Sequence, residues 1–369
     1  MDFSRRWSTA APGVIPLTIA DMDFAPDPAI VTALQERLRH PLVYPQPYST
    51  SGVAQDIGDY YRRTHRVDVP VERIRIFAST AAAMYVIFDR VLEAGDEVLY
   101  FAPSYHHLPD SVTAAGGRAV PVELHPSEGF DPEKLRSRIG PRTKAVLICN
   151  PHNPTGHQFS REQLRDLVAV AAEHDLLIVA NELHSRLSHD GAFVPLSSVE
   201  GVSHDRLITL SGATKSHNLS GLGGAFAFSL GESLIPRLWA ELAGRLPSPS
   251  ALAQTALSCA YREDSPWLRT TLDVLGGNRR MVSRQFRENL PAVRFLEPAA
   301  TYFAWLDFSA LRLEGDAAEV VQDACRVALL PGAEFGAPAA FARMTFASTP
   351  DTLQLALTRL IEGLSPWHS

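Results

Sequence analysis

Short apolar runs alternate with amphipathic segments through the middle of the chain. The runs Ala145-Val-Leu-Ile-Cys149 and Leu176-Leu-Ile-Val-Ala180 are apolar without alternation, which is typical of strands buried on both faces. Between them, Ser160-Arg-Glu-Gln163 is the capping-box signature that begins a helix. The apolar side of this helix is predicted to carry Leu164, Leu167, Val168 and Ala171. Because two parallel strands joined by a helix form a right-handed crossover, the pattern predicts an α/β sheet with parallel strands.

Polar residues follow three predicted strands at the points where the strands end. Asn150-Pro-His-Asn-Pro-Thr-Gly156 follows the first strand, and Asn181-Glu-Leu-His184 follows the second. Ser211-Gly-Ala-Thr-Lys215 follows a third predicted strand at Arg206 to Leu210. Open α/β sheets bind ligands beyond the carboxyl ends of their strands. We therefore expect one site at this edge of the sheet, formed by Asn153, Asn181, His184 and Lys215.

Lys215 is the most informative of these residues, because its amine is placed to capture an aldehyde as a Schiff base. An isolated lysine is more often a surface residue, so the hypothesis depends on the polar residues predicted around it. A second pattern, Ala78-Ser-Thr-Ala-Ala-Ala-Met84, follows the predicted strand Ile74-Arg-Ile-Phe77. Small residues at a helix start let a phosphate approach the free N–H groups, although the same pattern also suits a well-packed helix entry.

The two ends of the chain predict further elements. Asp27-Pro28 begins a helix with Ile30, Leu34 and Leu38 on one face. Residues 42–51 are rich in proline, tyrosine and serine, and we interpret them as a crossing into the large domain. Beyond residue 285 the pattern predicts a hairpin through Tyr302 to Phe308, a helix around Ala317 to Val327 and a strand at Ala342 to Ala347.

Composition narrows the class of protein. With 369 residues, 46% of them hydrophobic, the chain is long enough for two domains with sizeable cores. Its net charge of −7 argues against a nucleic-acid surface. The three cysteines, Cys149, Cys259 and Cys325, are widely spaced and odd in number, so we expect reduced thiols and a cytoplasmic location. We expect no signal peptide and no membrane span. No metal site is expected, because the histidines, including His106 and His107, lack metal-like spacing.

Ordered motifs along most of the chain match one family. Arg5-Arg-Trp7 and Ile19-Ala-Asp-Met-Asp-Phe24 come first. Seven more follow, namely Ala94-Gly-Asp-Glu-Val98, Pro103-Ser-Tyr105, the stretch 150–156, the Lys215 segment, Tyr302-Phe-Ala-Trp-Leu-Asp307, Pro331-Gly-Ala-Glu-Phe-Gly336 and Phe341-Ala-Arg343. Together they resemble the fold-type I pyridoxal-phosphate (PLP) enzymes of the aminotransferase class I/II group. The first two motifs resemble the cystathionine β-lyase (carbon–sulfur lyase) branch of that group.

The resemblance implies an α/β fold of the fold-type I PLP-dependent transferases. A large domain with a mostly parallel sheet would be joined by a smaller α+β domain built from both termini. We predict an N-terminal arm and part of the small domain at 1–45, the large PLP-binding domain at 46–284, and the C-terminal small domain at 285–369.

The resemblance also implies roles for individual residues. Lys215 and Tyr105 would be catalytic, with Lys215 carrying the cofactor and Tyr105 stacking on its ring. Arg343 would clamp the substrate α-carboxylate, and Asp21 would also contact the substrate. The remaining cofactor contacts would be Ser79, Thr80, Ala81, Ser211 and Thr214 near the phosphate, Asn153 and His184 near the ring hydroxyl, and Asn181 near the ring nitrogen. Tyr44 resembles the tyrosine that reaches the partner subunit's phosphate, which implies a homodimer.

Three positions depart from the family pattern. Relatives carry an aspartate where this chain has Asn181, and that carboxylate keeps the ring nitrogen protonated. Gly212 stands where relatives carry a phosphate-binding serine, and Gly223 stands where many carry a basic residue. We therefore expect weaker phosphate binding and a preference for β-elimination over transamination.

The predicted reaction is α,β-elimination of a thiol from a cysteine S-conjugate or a cystathionine-like amino acid, which yields pyruvate and ammonia. Two other enzymatic functions remain open: an aminotransferase, and a natural-product tailoring enzyme that acts on an S-conjugated cysteine by elimination or by decarboxylative oxidative deamination. A catalytically silent PLP fold used for binding or regulation is the alternative from a different class. The presence of Lys215, Tyr105, Asn153 and Arg343 argues against that last alternative.

Overall fold

The computed structural model describes residues 4–45, 52–125, 129–234, 238, 249–262 and 265–367. The α-helices among them are α1 (Arg5–Ser8), α2 (Pro28–Leu38), α3 (Val53–Tyr60), α4 (Thr80–Val91), α5 (His107–Ala114), α6 (Pro132–Arg136), α7 (Arg161–Glu173), α8 (Ala251–Arg262), α9 (Pro266–Asn289), α10 (Ala317–Cys325) and α11 (Pro350–Leu364). The strands are β1 (Ile15–Pro16), β2 (Ile74–Phe77), β3 (Glu97–Ala102), β4 (Arg118–Glu123), β5 (Thr143–Cys149), β6 (Leu177–Asn181), β7 (Leu207–Gly212), β8 (Ala225–Phe228), β9 (Arg294–Phe295), β10 (Phe303–Asp307), β11 (Val327–Ala328), β12 (Leu330–Pro331) and β13 (Phe341–Thr345).

A seven-stranded sheet in the order β2-β8-β7-β6-β5-β3-β4 forms the centre of the molecule. The strands from β7 to β4 in this order pair in parallel, and β8 runs antiparallel to both of its neighbours. The three predicted strands are confirmed as β5, β6 and β7, which lie next to one another. Their carboxyl ends therefore meet at one edge, as the sequence predicted.

Helices cover both faces of this sheet, which explains why β5 and β6 are apolar without alternation. Leu147 and Val179 face a core that α4 and α5 complete, while Val146 and Ile178 face a second core that α7 completes. The predicted capping box at the start of α7 is confirmed, with both reciprocal hydrogen bonds of Ser160 and Gln163 present. The amphipathic pattern of α7 thus places its apolar side on the sheet.

A further core, separate from the two on the faces of the large sheet, lies between the C-terminal elements and the N-terminal arm. The antiparallel sheet β12-β13-β10-β9 packs with α10, α11 and the long helix α9. Ile15 and Leu17 belong to the same core, and β1 pairs in parallel with β11. By contrast, Ile30 of α2 packs in the cluster that contains Val53 of α3. The smaller unit is therefore built from both termini, and the exact domain boundaries remain a prediction.

Glu182 directly follows β6 and, unlike Asn181 before it, does not line the pocket at the strand ends. Its side chain is fully buried, and its Oε1 accepts a hydrogen bond of 2.8 Å from the Leu196 N–H. Its backbone carbonyl accepts a hydrogen bond from the Ser211 hydroxyl. Burial raises the pKa of Glu182 to about 8, so the carboxyl group is mostly protonated at neutral pH.

Within the described ranges, no helix has the length and apolar content to cross a membrane.

Candidate active site

The edge where β5, β6 and β7 end opens into a pocket of about 450 Å³. One wall is the start of α4, where the chain turns from β2 into the helix. Ser79 is the N-cap residue, and its hydroxyl accepts a hydrogen bond of 3.1 Å from the Ala82 N–H. Ser79, Thr80 and Ala81 all line the pocket. A helix start offers free N–H groups and a favourable dipole, so this wall suits an anionic group.

Two glycines near this wall, Gly212 and Gly223, leave little space for a side chain. A Cβ atom on Gly212 would lie 2.8 Å from the carbonyl oxygen of Gly224, the residue just before β8. Gly223 has a φ of +74°, and its Cβ atom would lie 2.7 Å from the carbonyl oxygen of Ala78. Neither position has space for a side chain without movement of the backbone.

Lys215 follows β7 and extends its amine into the pocket. Its Nζ donates hydrogen bonds to the Ala20 carbonyl oxygen at 3.1 Å and to the Ser220 Oγ at 3.3 Å. Burial lowers the pKa of Lys215 to about 8, which Asp21 opposes and Arg343 reinforces. About a tenth of the amine is therefore uncharged at pH 7, which is the form that a nucleophile or a base requires.

Arg343 lies on β13 and reaches the pocket from the smaller unit. Its Nη1 donates to Asn153 Oδ1 and its Nη2 donates to the Thr18 carbonyl oxygen, both at 2.9 Å. The guanidinium carbon lies 4.1 Å from the ring centroid of Phe303 and 5.1 Å from that of Phe335. Burial lowers the pKa of Arg343 to about 10, so the side chain keeps its charge at neutral pH. A fixed, desolvated guanidinium of this kind is suited to binding a carboxylate.

Asn181 and His184 line the wall between Lys215 and α4. The Leu183 N–H donates to Asn181 Oδ1 at 3.2 Å, and Asn181 Nδ2 lies 3.7 Å from Met84 Sδ. The amide oxygen is therefore occupied. One N–H of the amide nitrogen donates to Met84 Sδ, and the other can donate to a ligand. Burial lowers the pKa of His184 to about 3, so its ring is neutral. His184 Nδ1 is buried and has no hydrogen-bond partner among the described residues.

The rim of the pocket is polar. Tyr105 is half-buried beside it, and its ring contacts those of His106 and His107. His106 Nδ1 lies 3.2 Å from Glu334 Oε2. The ligand atoms of His106, His107 and Asp110 all lie within 4.8 Å of one another, because the first turn of α5 brings Asp110 back to the histidines. Their spacing in the sequence did not indicate this cluster.

Three predicted site residues do not line the pocket. Ser211 is the second-last residue of β7, and its hydroxyl donates a hydrogen bond to the Glu182 backbone carbonyl. Thr214, by contrast, lines the pocket. Asp21 lies next to Ala20, and its Oδ1 is buried without a partner in the part of the chain described. Tyr44 is 97% exposed and lies in a separate hollow together with Leu252 of α8. Every other predicted site residue lines the pocket.

Several lining residues were not predicted as site residues. They include Ser220, Cys149, Met84, Leu330 and Arg5. Burial raises the pKa of Cys149 to about 12, so its thiol does not ionise at neutral pH. Ser220 follows Lys215 by five residues, and only that proximity in the sequence could have indicated it. Arg5 lies in the matched motif at 5–7, but nothing in the sequence indicated that it reaches the pocket.

Known proteins are similar to this chain along most of its length. The model of the family "Aminotransferase class I and II" matches residues 12–360. A cystathionine beta-lyase from Corynebacterium glutamicum is 25% identical over 97% of this chain and 96% of its own length. A probable aspartate/prephenate aminotransferase from Thermus aquaticus is 30% identical over 87% of this chain and 83% of its own length. A solved structure, described as a putative PLP-dependent beta-cystathionase from Corynebacterium diphtheriae, superposes with a TM-score of 0.92 at 24% identity, covering 98% of this chain and 96% of its own, which shows a common fold.

Proposed function

We propose, from the premise that the chain belongs to the aminotransferase class I and II family, that this protein is a PLP-dependent carbon–sulfur lyase. It cleaves the Cβ–S bond of a cysteine S-conjugate or a cystathionine-like amino acid by α,β-elimination. The observation that carries the proposal is the pocket in which the amine of Lys215, the guanidinium of Arg343 and the amide of Asn181 meet. Similar proteins named cystathionine beta-lyase, from Corynebacterium glutamicum and Bacillus subtilis, match 97% and 95% of the chain.

The donor groups of the pocket fit PLP. The N–H groups at the start of α4 would hold the phosphate, together with the hydroxyl of Thr214. The unpartnered His184 Nδ1 and the amide of Asn153 would face the ring hydroxyl, and the amide nitrogen of Asn181 would face the ring nitrogen. Tyr105 would lie against the ring. When bound, PLP supplies an aldehyde that condenses with amines and a ring that withdraws electrons from Cα.

The chain's own residues then bind the substrate and move one proton. Arg343 holds the α-carboxylate, and Phe303 and Phe335 keep its guanidinium in place. The free amine of Lys215 takes the proton from Cα, and a pKa of about 8 suits it for this role near neutral pH. The burial of both groups excludes water and strengthens their interactions with the substrate.

Asn181 favours elimination over amino transfer. It can donate a hydrogen bond to the ring nitrogen but offers no negative charge to keep that nitrogen protonated. Reactions that need the ring to hold the electron pair of Cα are therefore disfavoured. In elimination, the sulfur can leave as the α-proton is removed, so the electron pair need not remain on the ring. The aminotransferase relative makes amino transfer the second candidate function.

We also propose that the active form is a homodimer. Leu42, Val43 and Tyr44 are 62%, 66% and 97% exposed, and they lie beside Leu252 of α8. Such a cluster of exposed apolar side chains suits a protein interface. Tyr44 would there reach the partner's phosphate, as the family resemblance implies. A cytoplasmic location also remains a prediction.

A panel of S-substituted cysteines that includes cystathionine would test the proposed function. Pyruvate, amino transfer to an added keto acid, and hydrogen peroxide are measured separately with the PLP-loaded protein. We expect equal amounts of pyruvate and thiol, and no product from Lys215→Ala. Amino transfer that exceeds pyruvate release would instead support the aminotransferase, and peroxide would support oxidative deamination. A protein that binds PLP and yields no product from any substrate would support the silent fold.

A further inference from the structure

The hydrogen bonds of Lys215 Nζ determine where its lone pair can point. In the proposed reaction Lys215 acts as a base through its free amine. An uncharged amine has two N–H groups and one lone pair. Ala20 O, at 3.1 Å, and Ser220 Oγ, at 3.3 Å, can accept both N–H groups. When both N–H groups are engaged, the orientation of the amine is fixed, and so is the direction in which its lone pair points.

The Ala20 carbonyl is itself held in place. The hydroxyl of Tyr302, whose side chain is fully buried, donates to the same oxygen at 3.0 Å. Two residues along, the backbone N–H and C=O of Met22 both bond the side chain of Asn218, at 3.0 and 2.9 Å. The N-terminal arm is thus tied to the loop that carries Lys215. Its carbonyl groups cannot turn away from the lysine without loss of these bonds.

Ser220 differs from Tyr302 in its surroundings. It is exposed on the loop and lines the pocket. The other ionisable groups that act on Lys215 are Asp21 and Arg343, and the neutral ring of His184 also lies within reach. Ser220 is therefore an uncharged acceptor in contact with the reacting nitrogen.

We propose that Ser220 is a catalytic residue which, together with the Ala20 carbonyl, orients the free amine of Lys215 as the base, and that Tyr302 is the positioning residue for that carbonyl. This inference rests on the proposed function for the identity of the base. The bond between Cα and its hydrogen breaks as a third N–H bond forms on Lys215. The electron pair left on Cα displaces the sulfur, and the ammonium returns the proton to that sulfur to give the thiol.

Proton removal can be measured without elimination. L-Alanine has no leaving group, so loss of its Cα–H signal in D₂O, followed by NMR with the PLP-loaded protein, reports the base alone. We expect Ser220→Ala and Tyr302→Phe to slow this exchange by about 10- to 100-fold, the cost of a misoriented group. Ser220→Thr keeps a hydroxyl and should exchange faster than Ser220→Ala. The controls are Ser233→Ala, an exposed serine bonded to Asp205, and Tyr261→Phe, a fully buried tyrosine.

A second measurement does not depend on activity. The pKa of Lys215 in protein freed of PLP follows from the pH dependence of its acylation by acetic anhydride, read by peptide mass spectrometry. A hydroxyl acceptor stabilises an ammonium more than an amine, so Ser220→Ala should lower the pKa by about one unit. Tyr302→Phe removes a competing donor from Ala20 O and should raise the pKa by about half a unit.

Opposite shifts in the two variants distinguish these roles from a general loosening of the pocket. The inference would be overturned if Ser220→Ala and Tyr302→Phe gave the same exchange rates and the same Lys215 pKa as the two controls. It would also be overturned if both variants shifted the pKa of Lys215 in the same direction. Wild-type protein that exchanges L-alanine but releases no pyruvate from any cysteine conjugate would refute the lyase and leave the inference standing. If wild-type protein exchanges no L-alanine, the acylation measurement alone decides.

Discussion

Replacement of Glu182 with glutamine should make the stability of the protein less dependent on pH. Burial raises the pKa of Glu182 to about 8 in the folded protein, while its ordinary value is 4.5. Between these two values the folded state holds the proton and the unfolded state does not. The free energy of unfolding therefore falls as the pH rises through this window.

The magnitude follows from the size of the shift. One pKa unit corresponds to about 1.4 kcal/mol, so this group destabilises the folded protein by about 3 to 4 kcal/mol more at pH 8 than at pH 5. Glutamine keeps an oxygen for the Leu196 N–H and cannot ionise. From pH 5 to pH 8, the unfolding free energy of Glu182→Gln should therefore rise relative to that of wild type by about that amount.

Urea unfolding at pH 5, 6.5 and 8, followed by tryptophan fluorescence at constant ionic strength and with excess PLP, would measure this difference. Glu200→Gln is the matched control, because the side chain of Glu200 is 85% exposed. That control should show a difference that does not change with pH. If Glu182→Gln behaves in the same way, Glu182 has an ordinary pKa in the folded protein and the argument from burial is wrong.

Two further predictions concern the pocket, and a third concerns the packing of β7 beside it. Arg343→Lys should weaken amino-acid binding by about tenfold or more in a spectral titration, since an ammonium is a point charge without the planar fork that holds a carboxylate through two hydrogen bonds; unchanged affinity would remove Arg343 from the substrate site. Asn181→Asp should increase amino transfer relative to pyruvate release, because a carboxylate there favours a protonated ring nitrogen; an unchanged product ratio would mean that this residue does not control the partition. Gly212→Ala should lower the melting temperature by several degrees, since overpacking costs about 1 to 3 kcal/mol. Gly277→Ala, where a Cβ atom meets nothing within 4 Å, should not lower it, and equal melting temperatures would show that the strands move apart easily.

Much of the fold could be predicted because its signals are local. The apolar runs that became β5 and β6 are short and lack alternation, and a capping box separates them. Those features fix a parallel crossover, and the polar residues after each strand then share one edge. Asn153, Asn181, His184 and Lys215 line one pocket for this reason.

The orientation of Ser211 could not be predicted in the same way. The sequence indicated that β7 ends at Leu210, whereas the strand continues to Gly212 and pairs Ser211 with Phe226. Alternation along those extra residues turns the serine away from the pocket. A shift of two residues at a strand end is enough to change which hydroxyl faces a ligand.

Contacts between distant parts of the chain left no local signal. Ala20 and Lys215 are 195 residues apart, and Tyr302 is 282 residues from Ala20. The backbone carbonyl that joins them carries no side-chain chemistry that a sequence could reveal. Such contacts depend on how the N-terminal arm packs between the two units, which only the folded structure defines.

The glycines beside the start of α4 have a practical consequence for handling the protein. A side chain has no space at Gly212 or Gly223, so in the proposed site backbone groups and neighbouring hydroxyls would bind the phosphate. Other oxyanions can compete for such donors, since helix starts bind phosphate and sulfate alike. Phosphate buffers and ammonium sulfate precipitation would then strip the cofactor during purification. A preparation in a buffer free of these anions, with added PLP, should yield the more fully loaded enzyme.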